Sequence, residues 1–123
     1  MIHPLLADGL PHTERVEEQY RLFGRGHSPA ENGKFYRWVW EHKAHRCEEC
    51  LRPLEHYSAT FVSHILTRGA HPAMAHDPRN TNILCLSCHN KWENGDREAM
   101  RIYPKNKARA DALKKEYYQN QVL

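Results

Sequence analysis

Hydrophobic and polar positions change rhythm several times along this chain, and each rhythm predicts an element. Between Lys34 and Ala44, Phe35, Trp38 and Val39 recur at helical spacing, with Tyr36 and Trp40 on adjoining faces. This predicts a helix whose aromatics serve the core. Just upstream, Ser28-Pro29-Ala30-Glu31 is expected to start a short turn of helix, which Gly33 interrupts. Ala59–Ile65 is rich in β-formers and reads as a strand, and Asn80–Leu84 reads as a second, shorter one. Residues 66–79 contain Gly69, Pro72 and Pro78 and read as a loop. A helix bearing His89, Trp92 and Glu93 should follow Cys88 and stop at Asn94-Gly95. Pro104 breaks the chain again, and Lys105–Gln119 reads as a last helix with Ala108, Ala112, Leu113 and Tyr117 as its apolar stripe. Upstream, residues 1–12 read as an extended arm. Thr13 can cap a helix to about Leu22, with Glu14, Glu17 and Glu18 in its first turns.

Size changes the picture more than composition does. At 123 residues there is room for one small domain with a limited core, so a structural metal would add useful stability. The longest apolar stretches, such as Phe61-Val62 and Ile83-Leu84, are far too short to cross a bilayer, and no membrane partner is expected. The start of the chain has no basic segment followed by a long apolar run, so no signal peptide is read and a cytoplasmic location is expected. The formal net charge of +3 is only mildly basic. Two groups of cations could meet phosphate: Lys34, Arg37, Lys43 and Arg46, and then Lys105, Lys107, Arg109, Lys114 and Lys115. A solvated helix face explains either group equally well.

The four cysteines form two matched pairs, Cys47-Glu-Glu-Cys50 and Cys85-Leu-Ser-Cys88, with none left over. Two C-x2-C knuckles offer the four thiolates that a tetrahedral Zn²⁺ requires. In a reducing compartment such pairs bind metal more often than they form disulfides, although two disulfides remain an alternative. Residues 51–84 between the knuckles exceed what a minimal zinc ribbon needs, so a folded insert is expected there. That insert holds His64 and Asn80, and His89 follows the last cysteine.

From about His45 to Gly95 the chain resembles the HNH endonuclease family, of the zinc-knuckle type found in phages and prophages. The resemblance rests on Cys47-x2-Cys50, Ser63-His64-Ile65, and Asn80-x4-Cys85-x2-Cys88-His89. It implies an α+β fold: a small zinc-stapled ββα-metal (His-Me finger) core at residues 45–95. An N-terminal arm and helical extension would occupy 1–44, and a basic C-terminal helical tail 96–123. It also implies hydrolysis of DNA phosphodiester bonds, leaving 5′-phosphate and 3′-hydroxyl ends. His64 would be the general base, a role suited to an imidazole near neutral pH. Asn80 would position that base and its loop. His89 would ligate a catalytic divalent ion, Mg²⁺ or Mn²⁺, separate from the structural zinc.

One position departs from the family pattern. The residue before the base is usually Asp or His and binds the ion; here it is Ser63, a poor ligand for a hard cation. Glu93 lies four residues after His89 on the same helix face and could restore the negative charge, where colicin nucleases use a histidine. Arg68, Arg79 and Lys91 are read as contacts to the nucleic acid, with double-stranded DNA the expected partner. Small family members in phages act beside packaging proteins, which extends the expected partners to those. Two rival readings stay open. A non-catalytic zinc module binding nucleic acid or protein would keep the cysteines and have no use for His64. Cleavage of RNA would use the same chemistry.

Overall fold

The computed structural model describes residues 29–119. The arm and the helix expected within residues 1–28 lie outside them.

The first described helix, α1, spans Pro29–His42. Proline suits a first helical position, where its missing N–H breaks no bond. The helix runs through Gly33, where an interruption was expected. A glycine there costs about 1 kcal/mol against alanine, and burial of Asn32, Phe35, Val39 and Trp40 along one face overrides it. Of these, Phe35 and Val39 are completely enclosed.

The first knuckle is a tight turn. Leu51 N–H donates to Cys47 O and Cys47 N–H to Arg52 O, both at 2.9 Å. Closing it puts Leu51 at a φ of 66°, a conformation that costs a side-chain-bearing residue about 1–2 kcal/mol. Glu48 N–H then donates to Ile83 O at 2.8 Å, which ties the knuckle to the sheet.

Two short strands follow. The strand expected over Ala59–Ile65 is shorter: Ala59–Phe61 forms a 3-10 turn capped by Ser58, and only Val62–His64 is β1. Its partner β2, Thr81–Ile83, pairs antiparallel, with Val62 opposite Ile83, Ser63 opposite Asn82 and His64 opposite Thr81. Asn80 ends a 3-10 turn, Pro78–Asn80, rather than opening the strand. Helix α2, Leu86–Asn94, starts straight after Cys85, earlier than the expected start at Cys88, so that the second knuckle lies in its first turn. It stops at Gly95, as its sequence signals indicate. A Cβ at position 95 would stand 3.0 Å from Lys91 O, so the close approach favours glycine.

The last helix, α3, spans Tyr103–Gln119 and takes in Pro104 within its first turn. Its buried face differs from the expected stripe. Asn106, Arg109, Ala110 and Leu113 are buried, whereas Ala108 is exposed and Ala112 half-buried. Asn106 can occupy that face because it has a partner inside. Asn106 and Asn82 exchange amide hydrogen bonds at 2.7 and 3.2 Å. Farther along, Leu113 packs with Met74 of the insert loop. The helix is therefore docked on the sheet and the loop.

One α+β unit results: a two-stranded sheet with α1, α2 and α3 around it. Phe35, Val39, Val62, Ile83, Leu84 and Trp92 form the core together with the buried cysteines. Among the described residues no helix is long and apolar enough to cross a membrane.

Candidate active site

The two cysteine pairs meet beside β2: the first knuckle is tied to Ile83 O, and Cys85 lies just past the end of that strand. The Sγ atoms of Cys47, Cys50, Cys85 and Cys88 all lie within 4.8 Å of one another, and none is in a disulfide. Cys50 and Cys85 are 3.9 Å apart. Sulfurs about 2.3 Å from a tetrahedral zinc stand about 3.8 Å from each other, so the donor set and spacing fit that ion. Cys50 N–H also points at Cys47 Sγ, at 3.5 Å. Burial, and then the neighbouring Cys85 and Cys47, push the Cys88 thiol well above its usual range. A divalent cation at the cluster is the charge that would reverse this.

His64 ends β1 half-buried. Its Nε2 lies 2.8 Å from Ala75 O. A carbonyl only accepts, so Nε2 carries the proton and Nδ1 keeps a free lone pair. The ring lies against α1, stacked on Phe35 and edge-on to Tyr36. Burial is the main cause holding its pKa below the ordinary histidine value. The Ala75 bond partly opposes this, and Arg68, His76 and His89 push in the same direction as burial. The imidazole is thus neutral near pH 7 with an unprotonated nitrogen.

Asn80 is fully buried and fastens the loop that supplies the Ala75 carbonyl. Its Oδ1 accepts from Leu66 N–H at 2.8 Å, and its Nδ2 donates to Leu66 O at 2.9 Å and Met74 O at 3.3 Å. Its own backbone carbonyl takes Ile65 N–H at 2.9 Å. The chain leaving His64 and the chain arriving at Ala75 are both held by this one side chain.

His89 stands on α2. Nδ1–H donates to Thr60 O at 2.6 Å, which directs Nε2 at Glu93 Oε1, 3.0 Å away. With the proton on Nδ1, two acceptors face each other, an arrangement that a bound cation would relieve. Neighbouring oxygen or nitrogen ligands about 2.1 Å from an octahedral ion also stand about 3.0 Å apart, so the pair fits a Mg²⁺ or Mn²⁺ site. Trp92, one turn on, donates Nε1–H to His64 O at 3.1 Å and Ile65 O at 3.3 Å. Helix α2 is thereby pinned to the backbone of His64 itself.

Residues 47–95 match the HNH endonuclease family model.

The match begins at the first knuckle and ends at the glycine that stops α2, so it contains the cysteine cluster, His64, Asn80, His89 and Glu93. Helices α1 and α3 lie outside it. No curated protein matches the chain, and no solved structure does.

Other residues expected at the site are placed differently. Ser63 is fully enclosed and its Oγ has no hydrogen-bond partner. Strand alternation turns it to the face opposite His64, so the expectation that it ligates the ion at His89 finds no geometric support. Arg79 requires a correction. It is 3% exposed and grips Asp77 through Nε and Nη2, while Nη1 and Nη2 bond Glu116. Burial works against its charge, yet these carboxylates lift its pKa above the ordinary range. Tyr117 also donates to Asp77, at 2.8 Å. Arg79 therefore locks α3 to the loop and has no face left for a phosphate. Arg68 is exposed beside His64 with Nη1 on Tyr36 OH at 2.9 Å, and Lys91 is exposed on α2. His76 is buried against Phe35 and bonded to Asn32, and His71 is bonded to Tyr118, so the loop histidines hold packing contacts.

Several contributors left no trace in sequence. The carbonyls of Ala75 and Thr60 orient the two histidines, and any residue could supply them. Tyr36, read as an adjoining face of a core helix, borders His64 and anchors Arg68. Trp92 was read only as part of its helix.

Proposed function

We propose that this chain is a metal-dependent endonuclease that hydrolyses phosphodiester bonds of double-stranded DNA. The observation that carries the reading is the His64 tautomer. The Ala75 carbonyl takes Nε2–H, which leaves Nδ1 to remove a proton from an attacking water. His89 and Glu93 would hold the divalent ion, which when bound supplies charge stabilisation to the phosphoryl and leaving oxygens. Asn80 keeps the base and its carbonyl partner in register. Trp92 fixes the separation between the base and the metal ligands. Arg68, held by Tyr36, and Lys91 contact the phosphate backbone. The cysteine zinc shapes this ββα-metal core without entering the reaction.

The test is nicking of a supercoiled plasmid by the zinc-loaded chain with added Mn²⁺ or Mg²⁺. His64→Ala should lower the rate about 10²–10⁴-fold while zinc content and melting temperature hold. Glu93→Gln should raise the Mn²⁺ concentration needed, with partial rescue at higher Mn²⁺. Undiminished cleavage by His64→Ala would remove the base assignment. Retained nucleic-acid binding with no cleavage by the wild-type chain would favour a zinc-dependent binding module, and cleavage of RNA alone would change the substrate.

A further inference from the structure

A cleft of about 370 Å³ opens behind the first knuckle, lined by Lys43, Arg46, Glu48, Leu51, Arg101 and Lys105 among others. It unites the two cation groups seen in the sequence and selects among them. Lys43 is buried and paired with Glu48 at 2.9 Å. Arg109 is buried, and Lys107 is paired with Asp111. Arg46, Arg101 and Lys105 are exposed at the cleft. Among the described residues none of the three is in an ion pair.

The nearby acids are engaged inward. Glu48 bonds Lys43, Asn82 and Ile83 N–H. Glu49 accepts from the N–H groups of Arg101 and Ile102 at 3.0 and 2.9 Å. Arg101 Nη2 donates to Glu48 O at 3.2 Å, which holds its guanidinium at the rim. Three outward cations thus stand on a frame stiffened by the knuckle, beside Leu51, which is 46% exposed.

We propose that this cleft binds the sugar–phosphate backbone of a nucleic acid, at Arg46, Arg101 and Lys105, apart from the His64–His89 site. Phosphates meet the cations and the apolar sugar edge meets Leu51; an acidic peptide would leave that leucine unused. The proposal rests on the nuclease reading for its substrate, and it adds a second anchoring surface to it.

The experiment measures binding of a fluorescent DNA duplex by anisotropy, using the full zinc-loaded chain with no added Mg²⁺ or Mn²⁺. Arg46→Glu with Lys105→Glu should weaken binding by roughly tenfold or more. It should also flatten the dependence of log Kd on log salt by about one unit per cation removed. Lys34→Glu with Lys115→Glu makes the same charge change at exposed sites outside the cleft and should stay within about twofold of wild type. Equal weakening by both pairs would reduce the effect to net charge and overturn the proposal. So would unchanged binding in the cleft pair, or loss confined to a polyglutamate probe. Melting temperature with zinc bound checks folding, and Arg46→Gln with Lys105→Gln provides a milder pair that should weaken binding in the same direction. Failure of wild-type cleavage with intact cleft-dependent binding would sink only the nuclease reading. Cleavage with cleft-independent binding would sink only this one.

Discussion

Replacing Asn80 with aspartate isolates what its amide does. The two side chains have nearly the same shape, so no cavity forms. The bond from Leu66 N–H to Oδ1 survives. The donors to Leu66 O and Met74 O are lost, and an oxygen stands in their place against two carbonyls. Position 80 is fully buried, so the carboxylate gains no water in exchange. Met74 O keeps the Asp77 N–H at 3.1 Å, so Leu66 O alone loses its donor. An unsatisfied buried polar group costs about 1–3 kcal/mol, and the carboxylate set against both carbonyls puts the total near the upper end, about 3 kcal/mol. For a domain of this size that lowers the melting temperature by about 10–15 °C. The loss should depend on pH. Burial raises the folded pKa of the new carboxyl above its unfolded value of about 3.9. The native state then binds more protons, and its stability falls as pH rises from the unfolded pKa through the folded one. Protonation at lower pH restores one donor toward a carbonyl. Melting of zinc-loaded wild type and Asn80→Asp, compared at pH 5.5 and pH 8, should give the larger difference at pH 8. A difference under about 0.5 kcal/mol that is the same at both pH values would show that the amide donors hold nothing, and the positioning role of Asn80 would go with them.

Four further outcomes are expected. The purified reduced chain should hold one zinc, and a strong chelator should lower its melting temperature sharply, because thiolate zinc binding is linked to folding; under half an equivalent of zinc with an unchanged melt would refute the cluster as a zinc site. Arg79→Met should cost about 3–5 kcal/mol by stranding buried Asp77, measured by denaturant unfolding, while the DNA affinity of the folded fraction stays unchanged; weaker DNA binding without lost stability would return Arg79 to the phosphate. Ser63→Ala removes a buried hydroxyl that has no partner, so it should be neutral to slightly stabilising and leave Mn²⁺ affinity unchanged; a fall in affinity by calorimetric titration would make Ser63 a ligand after all. Because burial holds the His64 pKa below its usual value, the base is neutral above that pKa and cleavage should fall only as pH drops below about 6.5; a rate still climbing through pH 7 to 8 would contradict His64 as the base.

Much of this protein is written in local sequence. Paired cysteines two residues apart announce a knuckle because the spacing itself brings two sulfurs to one point. The stop at Asn94-Gly95 and the shared face of His89 and Glu93 follow from helical geometry alone. The family resemblance was legible for the same reason: its motif is a set of short-range spacings. What tertiary structure decided depends on pairings between distant segments. Asn106 became part of a buried helix face because Asn82 lies inside to exchange amide bonds with it, so an apolar stripe on Ala108 and Ala112 was the wrong guide. Arg79 turned from a surface cation into an internal clasp because α3 brings Glu116 and Tyr117 back over the loop. Gly33 stayed helical because Phe35 and Val39 gain more from burial than one glycine costs. The tautomers of His64 and His89 are set by the carbonyls of Ala75 and Thr60. Every residue carries such a carbonyl, and only the folded chain determines which of them reaches an imidazole.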